Sequence, residues 1–144
     1  MPRLVVDGYN VIHSWADLRS FLDISLEDAR EALVQRLAIY ALVSGIEVTV
    51  VFDAHRSRAA ADSVQEAEGV RVIFTAARSA DHAIERLAYQ ARASGNPIEV
   101  ATSDGFQRAL LRGMGAAVIG APELERRVRE AEGELDRRVR LLGR

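Results

Sequence analysis

The sequence predicts an α/β protein: a three-layer α/β/α sandwich around a mainly parallel sheet of about five strands. Two observations carry that prediction. Short β-branched runs alternate with longer segments whose apolar residues recur every three or four positions, and such alternation belongs to a parallel sheet covered on both faces. The pattern also runs without internal repeat or low-complexity linker. Residues 1–144 therefore read as one domain, and 144 residues at 49% hydrophobic composition can bury a core of their own.

The first strand is Leu4 to Val6, closed by Asp7-Gly8. Residues 11–25 mix apolar and polar types without a clear period and read as a connection with room for a short helical turn. Ser25 is placed to cap a helix carrying Leu26, Ala29, Leu33, Leu37 and Tyr40 on one face, ended by Gly45. Ile46 to Phe52 is a second strand ending at Asp53, and residues 54–69 are a long polar connection, partly helical at most. Val70 to Phe74 is a third strand. Ser79 then opens a helix with Ile84, Leu87, Ala88 and Ala91 on its apolar face, stopped by Gly95-Asn96-Pro97. Ile98 to Ala101 is a fourth strand, residues 106–112 a short helix and Ala116 to Ile119 a fifth strand. Pro122 suits the first turn of a final helix over residues 121–142.

Composition excludes several chemistries. The chain has no cysteine, so disulfide scaffolds, thiolate zinc sites, iron–sulfur clusters and cysteine nucleophiles are out. All 19 basic residues are arginine, which removes Schiff-base lysines, a P-loop lysine and any lysine base. The net charge of −2 means that nucleic-acid binding has to come from a local arginine patch. Neither a signal peptide nor a membrane-length apolar run is present, and the expected location is cytoplasmic.

The informative pattern is where the aspartates fall. Asp7 follows strand one, Asp53 follows strand two, Asp104 lies just past strand four, and Asp81 lies in the first turn of the helix after strand three. In an open parallel sheet the carboxyl ends of the strands share one edge, where ligands bind. Four carboxylates remote in sequence should therefore converge there. Crowded carboxylates repel, and either a proton or a cation must relieve them. With oxygen donors and no cysteine, the expected ion is Mg2+ or Mn2+, which suits phosphodiester hydrolysis. Taken singly, each aspartate also fits a turn or helix-capping role.

These residues carry a resemblance. Asp7-Gly8-Tyr9-Asn10-Val11-Ile12 resembles the opening motif of the NYN domains, a branch of the PIN-like ribonucleases. Val51-Phe52-Asp53-Ala54, Ser79-Ala80-Asp81 with Ile84-Glu85, and Ala101-Thr102-Ser103-Asp104 resemble the second, third and fourth motifs. The spacing and trailing helix look most like the YacP-like group, over about Leu4 to Leu124. The resemblance implies a PIN-like fold and a metal-dependent endoribonuclease leaving 5′-phosphate and 3′-hydroxyl ends. It maps Asp7, Asp53, Asp81 and Asp104 onto the acidic metal site, and Asn10 onto the polar residue that arranges it. It also points to RNA as partner, with mRNA or ribosome-associated RNA among the substrates it suggests. Positions where such proteins often carry lysine are arginine or absent here, and arginine still binds phosphate.

On this reading Asp7 and Asp104 hold the metal most directly, Asp81 holds it or orients its water, and Asp53 holds it or stands behind the others. Glu85, one turn after Asp81, is an outer ligand or an exposed glutamate. Ser103 and Thr102 either donate to phosphate or cap the next helix. His55, Arg56 and Arg58 guide the RNA backbone or belong to a solvated loop, and Arg78 meets phosphate or balances the acidic cluster. Trp15 stacks on a base or packs in the core. The final helix mixes arginine and glutamate around an apolar stripe of Leu124, Val128, Ala131, Leu135, Val139 and Leu142, which packs on the sheet or on the second subunit of a homodimer. From Arg137 onward its net character turns basic, an end suited to touching RNA or a ribosome. Two rivals keep the same pocket: a non-catalytic RNA- or ribosome-binding module, and a metal-dependent phosphatase or DNA nuclease.

Overall fold

The computed structural model describes residues 2–53, 62–76 and 79–143. The elements run β1 (Arg3–Asp7), α1 (Gly8–Ser14), α2 (Ala16–Arg19), a 3-10 turn (Ser20–Asp23), α3 (Leu26–Ser44), β2 (Glu47–Asp53), β3 (Ser63–Ala67), β4 (Val70–Thr75), α4 (Ala80–Ala93), β5 (Glu99–Ala101), α5 (Gly105–Gly113), β6 (Ala117–Ile119) and α6 (Ala121–Leu142). Among the described residues the strands form one sheet in the order β3-β4-β2-β1-β5-β6, parallel except for the β3–β4 pair. The α/β/α class and mostly parallel sheet follow the expectation.

Alternation along the strands sorts the core into two layers. Leu4, Val6, Val48, Val50, Phe52, Val70 and Val72 face one side, where they meet α1, α3 and α6 through Val11, Ile12, Leu33, Leu37, Leu124 and Val128. Val5, Val51 and Val100 face the other, where they meet Ile84, Ala88 and Ala91 of α4 and Leu111 of α5. The caps are where the sequence puts them. Ser25 and Ser79 accept from the amides of Asp28 and His82, and Gly45 ends α3 with φ 73°. Among the described residues no helix is long and apolar enough to cross a membrane.

Three expectations change. The sheet has a sixth strand, β3, within the stretch read as a connection. It is an outer edge strand with little side-chain burial, so its sequence shows no apolar alternation. What betrays it is Glu68-Gly69, with φ 54° and 86°, the two left-handed residues of a tight hairpin turn into β4. Residues 11–25 are mostly helical. Val11, Trp15 and Leu18 are buried at spacings of four and three, but the helix breaks at Trp15, whose extended backbone separates α1 from α2. The apolar stripe of α6 is buried only as far as Ala131, and Val139 and Leu142 are exposed.

Trp15 is also the tie between the amino-terminal helices and α6. Its ring is fully buried, its Nε1–H donates to the Ala121 carbonyl at 2.8 Å, and the Arg36 guanidinium lies 4.9 Å from the ring centre. Trp15→Phe keeps most of the apolar surface but strands that carbonyl. It is expected to lower unfolding free energy by about 1–3 kcal/mol, read by urea denaturation. An unchanged midpoint would show that water replaces the indole there.

Candidate active site

The strand order reverses between β1 and β5, so the loops leaving their carboxyl ends diverge to opposite faces and leave a crevice. Asp7 ends β1 beside it. In the β1–β2 register Asp7 stands opposite Val51, and Asp53 lies two residues further along the same face. That face is the one covered by α4, because Val5 and Val51 pack there. The α4 helix returns from β4 across β2 and β1 towards β5, which brings its first turn, with Asp81, over the same edge. Asp104 enters from the β5 side as the N-cap of α5.

Gly8 permits the sharp exit from β1. A Cβ at this position would stand 2.4 Å from the ring of Phe52, which is itself fully buried and flanked by Tyr9 at 5.1 Å and Phe74 at 5.6 Å between ring centres. The rest of the crevice is laced together by short hydrogen bonds. The buried Thr102 hydroxyl donates to Asp7 Oδ2 and accepts from the Asp104 amide, both at 3.2 Å. Asn10 Oδ1 accepts from the Ser103 amide at 2.8 Å, tying α1 to the loop after β5. Ser103 Oγ accepts from the Ala121 amide at 2.9 Å, so this serine supports the start of α6 rather than capping α5. The α5 cap is Asp104, whose Oδ1 accepts from the Gln107 amide at 2.8 Å.

Asp7 is only 8% exposed, whereas Asp81 and Asp104 are open to solvent and Asp53 is half-buried. Burial, then the facing Asp81 and Asp104 carboxylates, push the Asp7 carboxyl up to about 6, against the Thr102 hydrogen bond and one at Asn10 that favour its charged form. Asp81 is raised too, by desolvation first and then by Asp104 and Asp53. The four aspartates thus share one electrostatic neighbourhood. Glu85 is half-buried one turn further along α4 and is not among the groups that shift Asp7 or Asp81. Among the described residues no three acidic or imidazole side chains are gathered into a ready-made metal cage.

His55, Arg56, Arg58 and Arg78 lie outside the described residues. Trp15 offers no face to a base, since it is enclosed in the core with its indole N–H already bonded. Thr102, read as a capping candidate, is the direct partner of Asp7. The register explains it: Val6 pairs with Ala101, so the next residue of each strand meets across the crevice, a pairing that the sequence alone does not show.

A mostly parallel six-stranded sheet of this topology is a PIN-like fold. The model of the YacP-like NYN domain matches residues 4–141, and the chain belongs to that family. Protein YacP of Bacillus subtilis (strain 168) is 40% identical over 141 residues, covering 97% of this chain and 82% of the relative. The crystal structure of Rae1 (YacP) from Bacillus subtilis aligns with a TM-score of 0.82 at 39% identity, covering 99% of this chain and 82% of that one. A crystal structure of a single-site mutant of the same protein aligns with a TM-score of 0.85 at 39% identity, covering 99% and 84%.

The raised Asp7 carboxyl has a measurable sign. An acid whose folded value lies above its unfolded value of 3.8 binds extra protons in the folded state, so stability falls as pH rises through about 6. The penalty at pH 8 is of order 3 kcal/mol without metal. Asp7→Asn removes it while keeping an acceptor for Thr102. In EDTA the variant should be more stable than wild type at pH 8, with the gain vanishing towards pH 4. Equal destabilisation at both pH values would contradict the cause given.

Proposed function

We propose that this protein is a divalent-cation-dependent endoribonuclease that hydrolyses RNA phosphodiester bonds to 5′-phosphate and 3′-hydroxyl ends. The observation that carries this reading is the electrostatic coupling of Asp7, Asp53, Asp81 and Asp104 at one sheet edge, with Asp7 pushed up to about 6. The donor set suits a hard cation: carboxylate oxygens in a chain without cysteine. Mg2+ takes few protein carboxylates and fills its remaining positions with water and phosphate oxygens, so an open cluster fits it better than a closed cage. When bound, such an ion supplies a Lewis acid and a hydroxide near neutral pH.

The chain's own residues divide the remaining work. Asp7 and Asp104 are the principal ligands, Asp81 a further ligand or the acceptor that orients the attacking water, and Asp53 the carboxylate behind Asp81. Thr102 fixes the Asp7 rotamer by donating to one oxygen. Asn10 and Ser103 hold the loop that carries Asp104. The membership of a PIN-like nuclease family supports RNA as substrate, and mRNA or ribosome-associated RNA belongs to the same proposal.

The test is cleavage of an end-labelled RNA with Mn2+ or Mg2+, beside DNA of the same sequence and a phosphomonoester. RNA should be cut internally, EDTA should stop the reaction, and Asp7→Asn and Asp104→Asn should each lower the rate by at least about 100-fold. Preferential turnover of the monoester or of DNA would replace this reading. Undiminished cleavage by Asp7→Asn would end it.

A further inference from the structure

The carboxylate edge explains how a phosphodiester is cut and says nothing about how a strand is held, since carboxylates repel its backbone. Among the described residues two side chains of α5 answer that need. Phe106 lies two residues past Asp104 and its ring is 81% exposed. The other described aromatics are engaged or remote. Trp15, Tyr40 and Phe52 are in the core, Phe21 packs against it, Tyr9 and Phe74 pack against Phe52, and the exposed Tyr89 sits two turns along α4 from Asp81.

Arg108 is the second. It is half-buried, makes no hydrogen bond or ion pair among the described residues, and its Nε is closed off from water without a partner. The arginines of α6 are mostly bound to carboxylates of their own helix or of β5. A half-buried guanidinium left unpaired is costly unless a ligand completes it. Its place is defined: one terminal nitrogen lies 4.0 Å from where a Cβ on Gly120 would stand, with Ser103 Oγ 3.5 Å from the same point. The guanidinium therefore lies beside the loop that carries Asp104.

Helix geometry puts the two on opposite flanks. Successive residues turn by about 100°, so Phe106 and Arg108 stand on either side of the buried Gln107. The Arg108 flank faces Gly120, at the end of β6. The Phe106 flank is turned the other way, away from Gly120. A strand crossing the amino end of α5 meets both in succession.

We propose that the start of α5 is a subsite for an unpaired RNA strand, with Phe106 stacking on a base and Arg108 taking a backbone phosphate. The proposal rests on the nuclease reading for the nature of the strand. It adds a preference: stacking on one exposed ring requires a base free of its own stack, so a duplex gains nothing from Phe106.

The test is binding of a fluorescent 12-nucleotide RNA to the full chain in EDTA, by anisotropy across a salt series, with the matching duplex in parallel. Phe106→Ala should weaken single-strand binding about 10-fold without changing the salt slope, and Phe106→Trp should restore it. Arg108→Ala should reduce the slope of log Kd against log salt by about 0.7, and the neighbouring exposed Arg112→Ala should leave the Phe106-dependent loss intact. Thermal melting confirms that each variant is folded. Single-strand binding unchanged in Phe106→Ala, equal loss for duplex and single strand, or no RNA binding by wild type would each overturn the subsite. Unchanged RNA binding is also the result expected if Phe106 serves a protein partner instead. The two readings separate cleanly. A wild type inert with Mn2+ but with a Phe106-dependent affinity keeps the subsite and loses the nuclease. Cleavage with KM unchanged in both variants keeps the nuclease and loses the subsite.

Discussion

Asp7 is the point at which burial and like charge act on the same group, and the topology leaves it nowhere else to go. β1 and β2 are adjacent and parallel, so their carboxyl ends meet at one edge, with Asp53 two residues beyond the partner of Asp7. The α4 crossover has to pass over β2 and β1 to reach β5, and its first turn lands on that edge with Asp81. The β5 loop delivers Asp104 from the far side of the crevice. The strand order holds the backbones that carry these groups at one edge. The repulsion is a property of the fold, and the rest of the structure has to hold against it.

Much of that holding is done by polar ties rather than by the core. Thr102 bonds Asp7 and the Asp104 amide at once, Asn10 holds Ser103, and Ser103 holds the first amide of α6. Trp15 then closes the loop by taking the carbonyl of that same residue, Ala121. Bonds of this kind contribute about 1 kcal/mol each, so a chain of them is of the same order as the cost of ionising Asp7. Two tendencies meet here in opposition, since the buried carboxylate that weakens the fold above about pH 6 sits among the ties that hold the crevice together.

The layered architecture and the convergence of the aspartates were legible because both rest on period and order, which are local properties of the string. Caps such as Ser25, Ser79 and Gly45 were legible for the same reason. β3 was not, because an edge strand with few buried side chains carries no apolar alternation, and only Glu68-Gly69 marked its turn. The helical character of residues 11–25 was obscured by the break at Trp15. The fate of an aromatic is a tertiary matter. Trp15 and Phe106 both neighbour acidic motifs in the sequence, yet one is enclosed and the other open. Nothing local distinguishes them; what decides is that α6 crosses over Trp15, whereas among the described residues nothing covers Phe106.

Charge count alone misleads about where a polyanion would settle. The Arg-rich end of α6 reads as basic, but Arg137 and Arg138 are bound to Glu134, and Arg140 to Asp136, at spacings of three and four on their own helix. Such exposed pairs stabilise little, yet they offset the field that would draw a phosphate. A phosphate arriving there must compete with a carboxylate already in place and gains only the difference. At Arg108 no carboxylate among the described residues is in place, and the guanidinium lies beside the loop of Asp104. In a chain of net charge −2 the useful positive charge is therefore not the densest run of arginines, where the fold supplies the counter-charge, but an arginine such as Arg108 that has none among the described residues.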